Sequence, residues 1–142
     1  MKTRFSAVLP GILLSALCSC AQTPPVGREP VKVIQEWSGA VADESLLTNA
    51  SPVIVSDLAL KKIWQAWSLT NAIPTVDFTK QLVVITTSRG SLLRLIPSLD
   101  AQGDLHLVGL GTRDLRPGFR YVIATVSRDG VKTANGQALP RE

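Results

Sequence analysis

The sequence is poor in the residues that usually carry chemistry. Its only cysteines are Cys18 and Cys20, near the start of a 142-residue chain. They are too close together to staple a fold, so any domain beyond them folds without disulfides and cannot use thiol catalysis. There is one histidine, His106, and aromatics make up only 5% of residues. One imidazole with no nearby thiol falls short of the three or four ligands a zinc site usually needs, so no metal and no cofactor are expected. Asp100 and Asp104 form a two-carboxylate turn, which is too sparse a set of oxygens for calcium. No glycine-rich phosphate loop is present, because Gly109-Leu110-Gly111 is not followed by a helix pattern. His106 lies between Leu105 and Leu107 in a strand pattern, on the opposite face from both. This suits a surface or edge histidine better than a general base with an orienting partner. No spacing proposes a nucleophile, so no catalytic residue is assigned and an enzyme is not expected.

Basic clustering is also missing. The formal charge of +4 comes from 15 Lys and Arg against 11 Asp and Glu. Two of the 15 are Lys2 and Arg4, and without them the balance is +2. No basic helix appears, so nucleic acid is not an expected partner.

The N-terminus carries an address. Lys2 and Arg4 precede the apolar run Phe5 to Leu17, which Pro10 and Gly11 interrupt. That run is shorter than the roughly 18 apolar residues of a spanning helix and suits a signal peptide. Leu17-Cys18-Ser19-Cys20 resembles a bacterial lipobox, apart from Cys18, where Ala or Ser is more usual. The resemblance implies cleavage after residue 19, lipidation of Cys20 and a membrane anchor. By analogy with lipoprotein sorting rules, Ala21 after the cysteine suggests the outer membrane. The expected organisation is therefore a leader at 1–19, a Pro/Gly-rich tether at 20–30 and a single domain at 31–142. Such a chain is expected at the cell envelope, held by lipid.

Within the domain the pattern predicts α+β: a twisted, mostly antiparallel sheet assembly with one amphipathic helix packed on it. Val31 to Trp37 alternates like a half-buried strand, and 40–51 has no clear period and suggests a loop with a short strand. Val53 to Val55 is a brief strand ending at Ser56, a good helix N-cap. Leu60, Ile63, Trp64 and Trp67 then share one face of a helix from Asp57 to Trp67, which the residues up to Pro74 end. Leu82 to Thr87 is apolar throughout, as expected of a central strand covered on both sides. Leu92 to Ile96, with Pro97 as a stop, and Leu105 to Leu110 follow. Phe119 to Ser127 is expected to be the longest strand, and Asn135-Gly136 is a hairpin dipeptide.

Arginines crowd the predicted turns of the second half. Arg89, Gly90, Arg94, Arg113 and Arg116 are the candidate partner-binding residues, in loops around 89–91 and 113–118. The plainer alternative is a set of solvated strand ends that discourage edge pairing.

The segment from Pro52 to Leu139 resembles the C-terminal domain of the PrcB family of protease-complex subunits. The resemblance rests on the Ser-capped helix, on Val76-Asp77-Phe78-Thr79-Lys80 running into Leu82-Val83-Val84-Ile85, on Phe119 to Ile123, and on Asn135-Gly136-Gln137-Ala138-Leu139. It implies a secreted or lipid-anchored, noncatalytic protein-interaction module, such as an accessory subunit of an envelope protease. Many members carry Thr-Gly-Gly-Tyr after the central strand, whereas residues 89–95 here read Arg-Gly-Ser-Leu-Leu-Arg-Leu. A loop-based protease inhibitor is the alternative, since loops on a rigid β scaffold can enter clefts. Asp77 is expected to accept backbone N–H bonds in its turn, with Phe78 in the core.

Overall fold

The computed structural model describes residues 27–49 and 51–141. The leader, Cys20 and most of the tether lie outside that range. The fold is α+β, with nine strands and one α-helix among the described residues. The elements are β1 (Glu29–Pro30), β2 (Val33–Val41), a 3-10 turn (Glu44–Asn49), β3 (Val53–Ile54), α1 (Asp57–Ala66), β4 (Gln81–Ser88), β5 (Leu93–Leu99), β6 (Asp104–Gly111), β7 (Phe119–Ser127), β8 (Thr133–Ala134) and β9 (Gln137–Ala138). They form a four-stranded sheet, ordered β2-β7-β4-β3, and a five-stranded one, ordered β1-β5-β6-β8-β9. Every pairing is antiparallel except β6 with β8. None of the described helices is long and apolar enough to cross a membrane.

The four-stranded sheet is the middle layer. One of its faces packs Val83, Ile85, Phe119, Tyr121 and Ile123 against Leu60, Ile63, Trp64 and Trp67 of the helix region. The other packs Leu82, Val84, Val122, Ala124 and Val126 against Leu95 and Leu105 of the second sheet. Burial on both faces explains why β4 and β7 are nearly continuous apolar runs although their pairing is antiparallel. The single buried polar residue in β7, Thr125, has a definite use. Its Oγ1 accepts the Gln35 N–H at 3.1 Å, where a register shift between Val33 and Gln35 interrupts the ladder.

The helix begins as expected, with Ser56 Oγ accepting the Ala59 N–H at 3.3 Å. It ends at Ala66, with Trp67 as its cap, well before Pro74 in the loop that leads to β4. Ser68 takes a left-handed conformation (φ 51°). Its N–H donates to Gln65 O and the Leu69 N–H donates to Trp64 O, both at 3.0 Å. This is a Schellman ending with serine where glycine is usual.

Four boundaries differ from the sequence expectation. Glu29 and Pro30, expected in the tether, pair with Leu99 and Ser98 as the edge strand β1. β2 runs on to Val41, making it as long as β7 at nine residues. Residues 44–49 form a 3-10 turn in place of a loop with a strand. Pro97 does not stop β5, which continues to Leu99. The Pro97 carbonyl accepts the Val31 N–H at 3.0 Å, so its nitrogen also faces the short edge strand, and the β5–β6 ladder loses no bond to it. At the other end, Asn135 (φ 48°) and Gly136 (φ 75°) make the expected tight hairpin between β8 and β9.

Candidate functional site

The outer face of the five-stranded sheet carries what the core does not use. Alternation along β6 turns Leu105 and Leu107 inward and His106, Val108 and Leu110 outward. Register sets Ser98 opposite His106, Ile96 opposite Val108, and Arg94 opposite Leu110. Ile96, Val108 and Leu110 are exposed, as is Leu92 just before β5. On the inner side, Gly109 and Gly111 let β6 lie directly on β4. A Cβ on either would collide with the Thr86 or Ser88 hydroxyl.

At one end of this face the two arginine-bearing loops meet. Asp114 Oδ1 accepts the Ser91 N–H at 3.0 Å, and the Arg116 N–H donates to Arg89 O at 2.9 Å. The Leu92 N–H donates to the Thr112 hydroxyl at 3.1 Å. The Thr112 hydroxyl, the Ser91 N–H and hydroxyl, and the Arg116 guanidinium hold the Asp114 carboxyl well below the usual carboxylate range. Arg116 Nε lies 3.1 Å from Asp114 Oδ2, and Arg89 lies 3.4 Å from Glu44. Gly90 is buried at the junction, where a Cβ would strike the Thr112 carbonyl, so it shapes the loop pair and offers no contact surface. Arg94 and Arg113 are exposed, with no ion pair among the described residues. The fold thus brings the five candidate residues to one end of the sheet but leaves only these two guanidiniums uncommitted. Leu115, at the tip of the same loop, is 82% exposed. Sequence reasoning passed over the exposed apolar row, although β5 and β6 both place apolar residues at alternate outward positions.

At the other end of the face, the turn between β5 and β6 folds back. Asp100 Oδ1 accepts the N–H groups of Gln102 and Asp104 at 3.0 and 2.9 Å, the turn role expected of it. Its Oδ2 lies 3.0 Å from His106 Nε2, and Asp104 Oδ2 lies 3.4 Å from the same nitrogen. The His106 bond, followed by the Asp104 N–H, lowers the pKa of Asp100. The Thr133 hydroxyl and the Gly136 N–H lower that of Asp104. The sequence kept these carboxylates and the histidine apart, as a turn and a lone strand residue, but the fold joins them.

Asp77 behaves as its turn predicts. Its Oδ1 accepts the Thr79 N–H and hydroxyl, which lower its pKa, and Lys80 lies 3.8 Å away. Phe78 is half-buried against the helix-side core, and its carbonyl accepts from Arg128 at 2.8 Å. The geometry thus comprises a presenting surface with two free arginines and a compact Asp/Asp/His group. No family model, curated protein or solved structure matches this chain.

Proposed function

We propose that this chain is a noncatalytic docking module, anchored to the envelope through a lipidated Cys20, whose outer sheet face receives a protein partner. The observation that carries this reading is the row of exposed Leu92, Ile96, Val108 and Leu110 beside the unpaired Arg94 and Arg113. Clustered apolar side chains edged by arginine are the composition of interaction surfaces rather than of ordinary solvated strands. Arginine adds bidentate pairing with a partner's carboxylates. The PrcB-like segments favour an envelope protease as that partner, with this chain as its accessory subunit.

A photoreactive residue at position 108, introduced in the native host, tests this reading. It is expected to give one discrete cross-linked adduct, lost on Leu110→Asp or Arg94→Glu, while the same probe at exposed Lys61 on the helix gives none. Equal labelling at both positions would refute the docking face. Palmitate labelling that vanishes in Cys20→Ala tests the anchor separately.

A second reading has its own observation. The loop bearing Leu115 is pinned at Asp114 and Arg116, as an inhibitory loop that enters a protease cleft would be. Under that reading, Leu115→Asp abolishes inhibition of an added protease while Val108→Asp leaves it intact. The docking reading predicts the reverse order of sensitivity in partner binding.

A further inference from the structure

We propose that Asp100, Asp104 and His106 form a binding site for a divalent first-row transition-metal cation, with zinc as the best match. This proposal is independent of the docking face. One oxygen of each carboxylate and one nitrogen of the imidazole lie within 4.8 Å of one another. The site is assembled from two neighbouring strands. Asp100 comes from the end of β5 through a turn, while Asp104 and His106 are two apart on β6 and so share its outer face.

Two features favour an ion over a plain surface histidine. The first is spacing. With metal–ligand bonds of about 2.0–2.1 Å, neighbouring donor atoms lie about 2.9 Å apart in an octahedron and about 3.3 Å apart in a tetrahedron. His106 Nε2 stands 3.0 and 3.4 Å from the two carboxylate oxygens, spacings close to those of donor atoms around one such ion.

The second is support around the carboxylates. Asp100 Oδ1 is held by two backbone N–H groups, which leaves Oδ2 directed at the imidazole. Asp104 Oδ1 accepts the Thr133 hydroxyl at 2.6 Å, and the Gly136 N–H reaches both of its oxygens at 3.0 Å. Loss of a group that fixes a ligand's orientation in this way typically costs about 10–100-fold in metal affinity. The Asp100, Asp104 and His106 side chains are only 13%, 14% and 22% exposed, which limits screening.

The donor set selects the ion. One imidazole nitrogen with two carboxylate oxygens suits zinc or a neighbouring first-row divalent ion. Calcium prefers six to eight oxygens, and magnesium gains little from an imidazole. Three protein ligands leave at least one position for water or for a carboxylate of another molecule.

The test uses the full-length chain in detergent, without a histidine tag. His106 is the only histidine, so its imidazole resonances report on this site and not on zinc bound by Cys18 or Cys20. Equimolar zinc is expected to shift the Nε2 resonance in a saturable, one-to-one manner, and magnesium is expected to leave it unmoved. Asp100→Asn should weaken the zinc response at least about tenfold, and Thr133→Val about 10–100-fold through the lost support of Asp104. The Thr133 variant keeps all three ligands, so it remains informative if Asp100→Asn loosens the turn. An imidazole signal unmoved by zinc in the wild type overturns the proposal. So does an equal zinc shift in the wild type and in both variants.

Discussion

Trp67 stands edge-on to Phe119, with ring centroids 5.2 Å apart and planes inclined by 71°. The cap of the helix is thereby keyed to the first residue of β7, and Tyr121 flanks the same indole at 5.4 Å. Trp64, one turn earlier, meets Trp37 of β2 edge-on at 6.2 Å. The three tryptophans therefore tie the helix to both β2 and β7.

Trp64 is the stronger test of that arrangement. It is 3% exposed, and its indole N–H donates to Asn71 O at 2.8 Å. Trp64→Ala is expected to cost about 3–5 kcal/mol of unfolding free energy, the range for emptying a buried aromatic site. Trp64→Phe, which keeps most of the ring volume but orphans the Asn71 carbonyl, should cost less. Urea titration distinguishes the three proteins. An unchanged midpoint in the alanine variant would contradict the buried position.

Ser68 offers a stabilising change. A left-handed residue with a Cβ costs roughly 1–2 kcal/mol relative to the right-handed form, and glycine escapes most of that strain. After the greater chain entropy of glycine is set against this gain, Ser68→Gly should raise stability by about 0.5–1 kcal/mol. Ser68→Ala keeps the Cβ and should not. Thermal unfolding of the pair checks it.

The contact between Gly109 and Thr86 predicts coupling. A Cβ at 109 would meet the Thr86 hydroxyl far inside van der Waals contact. Gly109→Ala should therefore destabilise by about 1–3 kcal/mol, as overpacking does. Adding Thr86→Ala removes the obstructing oxygen and should restore part of the loss. The double-mutant cycle is then expected to be non-additive by about 0.5 kcal/mol or more. Additive effects would mean that the two strands separate freely at this point.

Acid should weaken the fold through Asp100, Asp104 and Asp114. The His106 bond first for Asp100, the Thr133 hydroxyl first for Asp104, and the Thr112 hydroxyl first for Asp114 hold all three pKa values below normal. A carboxyl whose pKa is lower folded than unfolded contributes stability above its unfolded value, about 3.9 for Asp. That contribution is lost as the pH falls through the folded value. The urea midpoint is expected to drop as the pH is lowered from about 4 toward 2, and to drop less steeply in Asp114→Asn. A flat midpoint over that window would show that these bonds do not form in solution.

Much of the fold was legible because its signals were local. β7 matched from Phe119 to Ser127, since an apolar run between Gly118 and the Arg128 turn leaves little choice of boundary. The helix was announced by Ser56 and by the spacing of Leu60, Ile63 and Trp64. What escaped depended on pairing between distant segments. Pro97 reads as a stop in the sequence, yet its ring nitrogen faces the short β1 and not β6, and β1 itself is strand only because β5 lies beside it. The Asp/Asp/His group was half visible, since Asp104 and His106 are two apart in a strand. Its third member, Asp100, is brought in by a turn whose Asp100 N–H donates to Asp104 O at 3.1 Å.

The pairing of Glu29 with Leu99 shortens the stretch between Cys20 and the first strand. On the proposed anchoring at Cys20, the eight residues 21–28 separate the lipidated cysteine from the first strand. Fully extended, they reach at most about 30 Å. That is about the thickness of a bilayer's hydrocarbon core. A partner of the outer sheet face would therefore have to present its own surface close to the lipid headgroups. Under that anchoring, height above the bilayer would become a selection rule of its own.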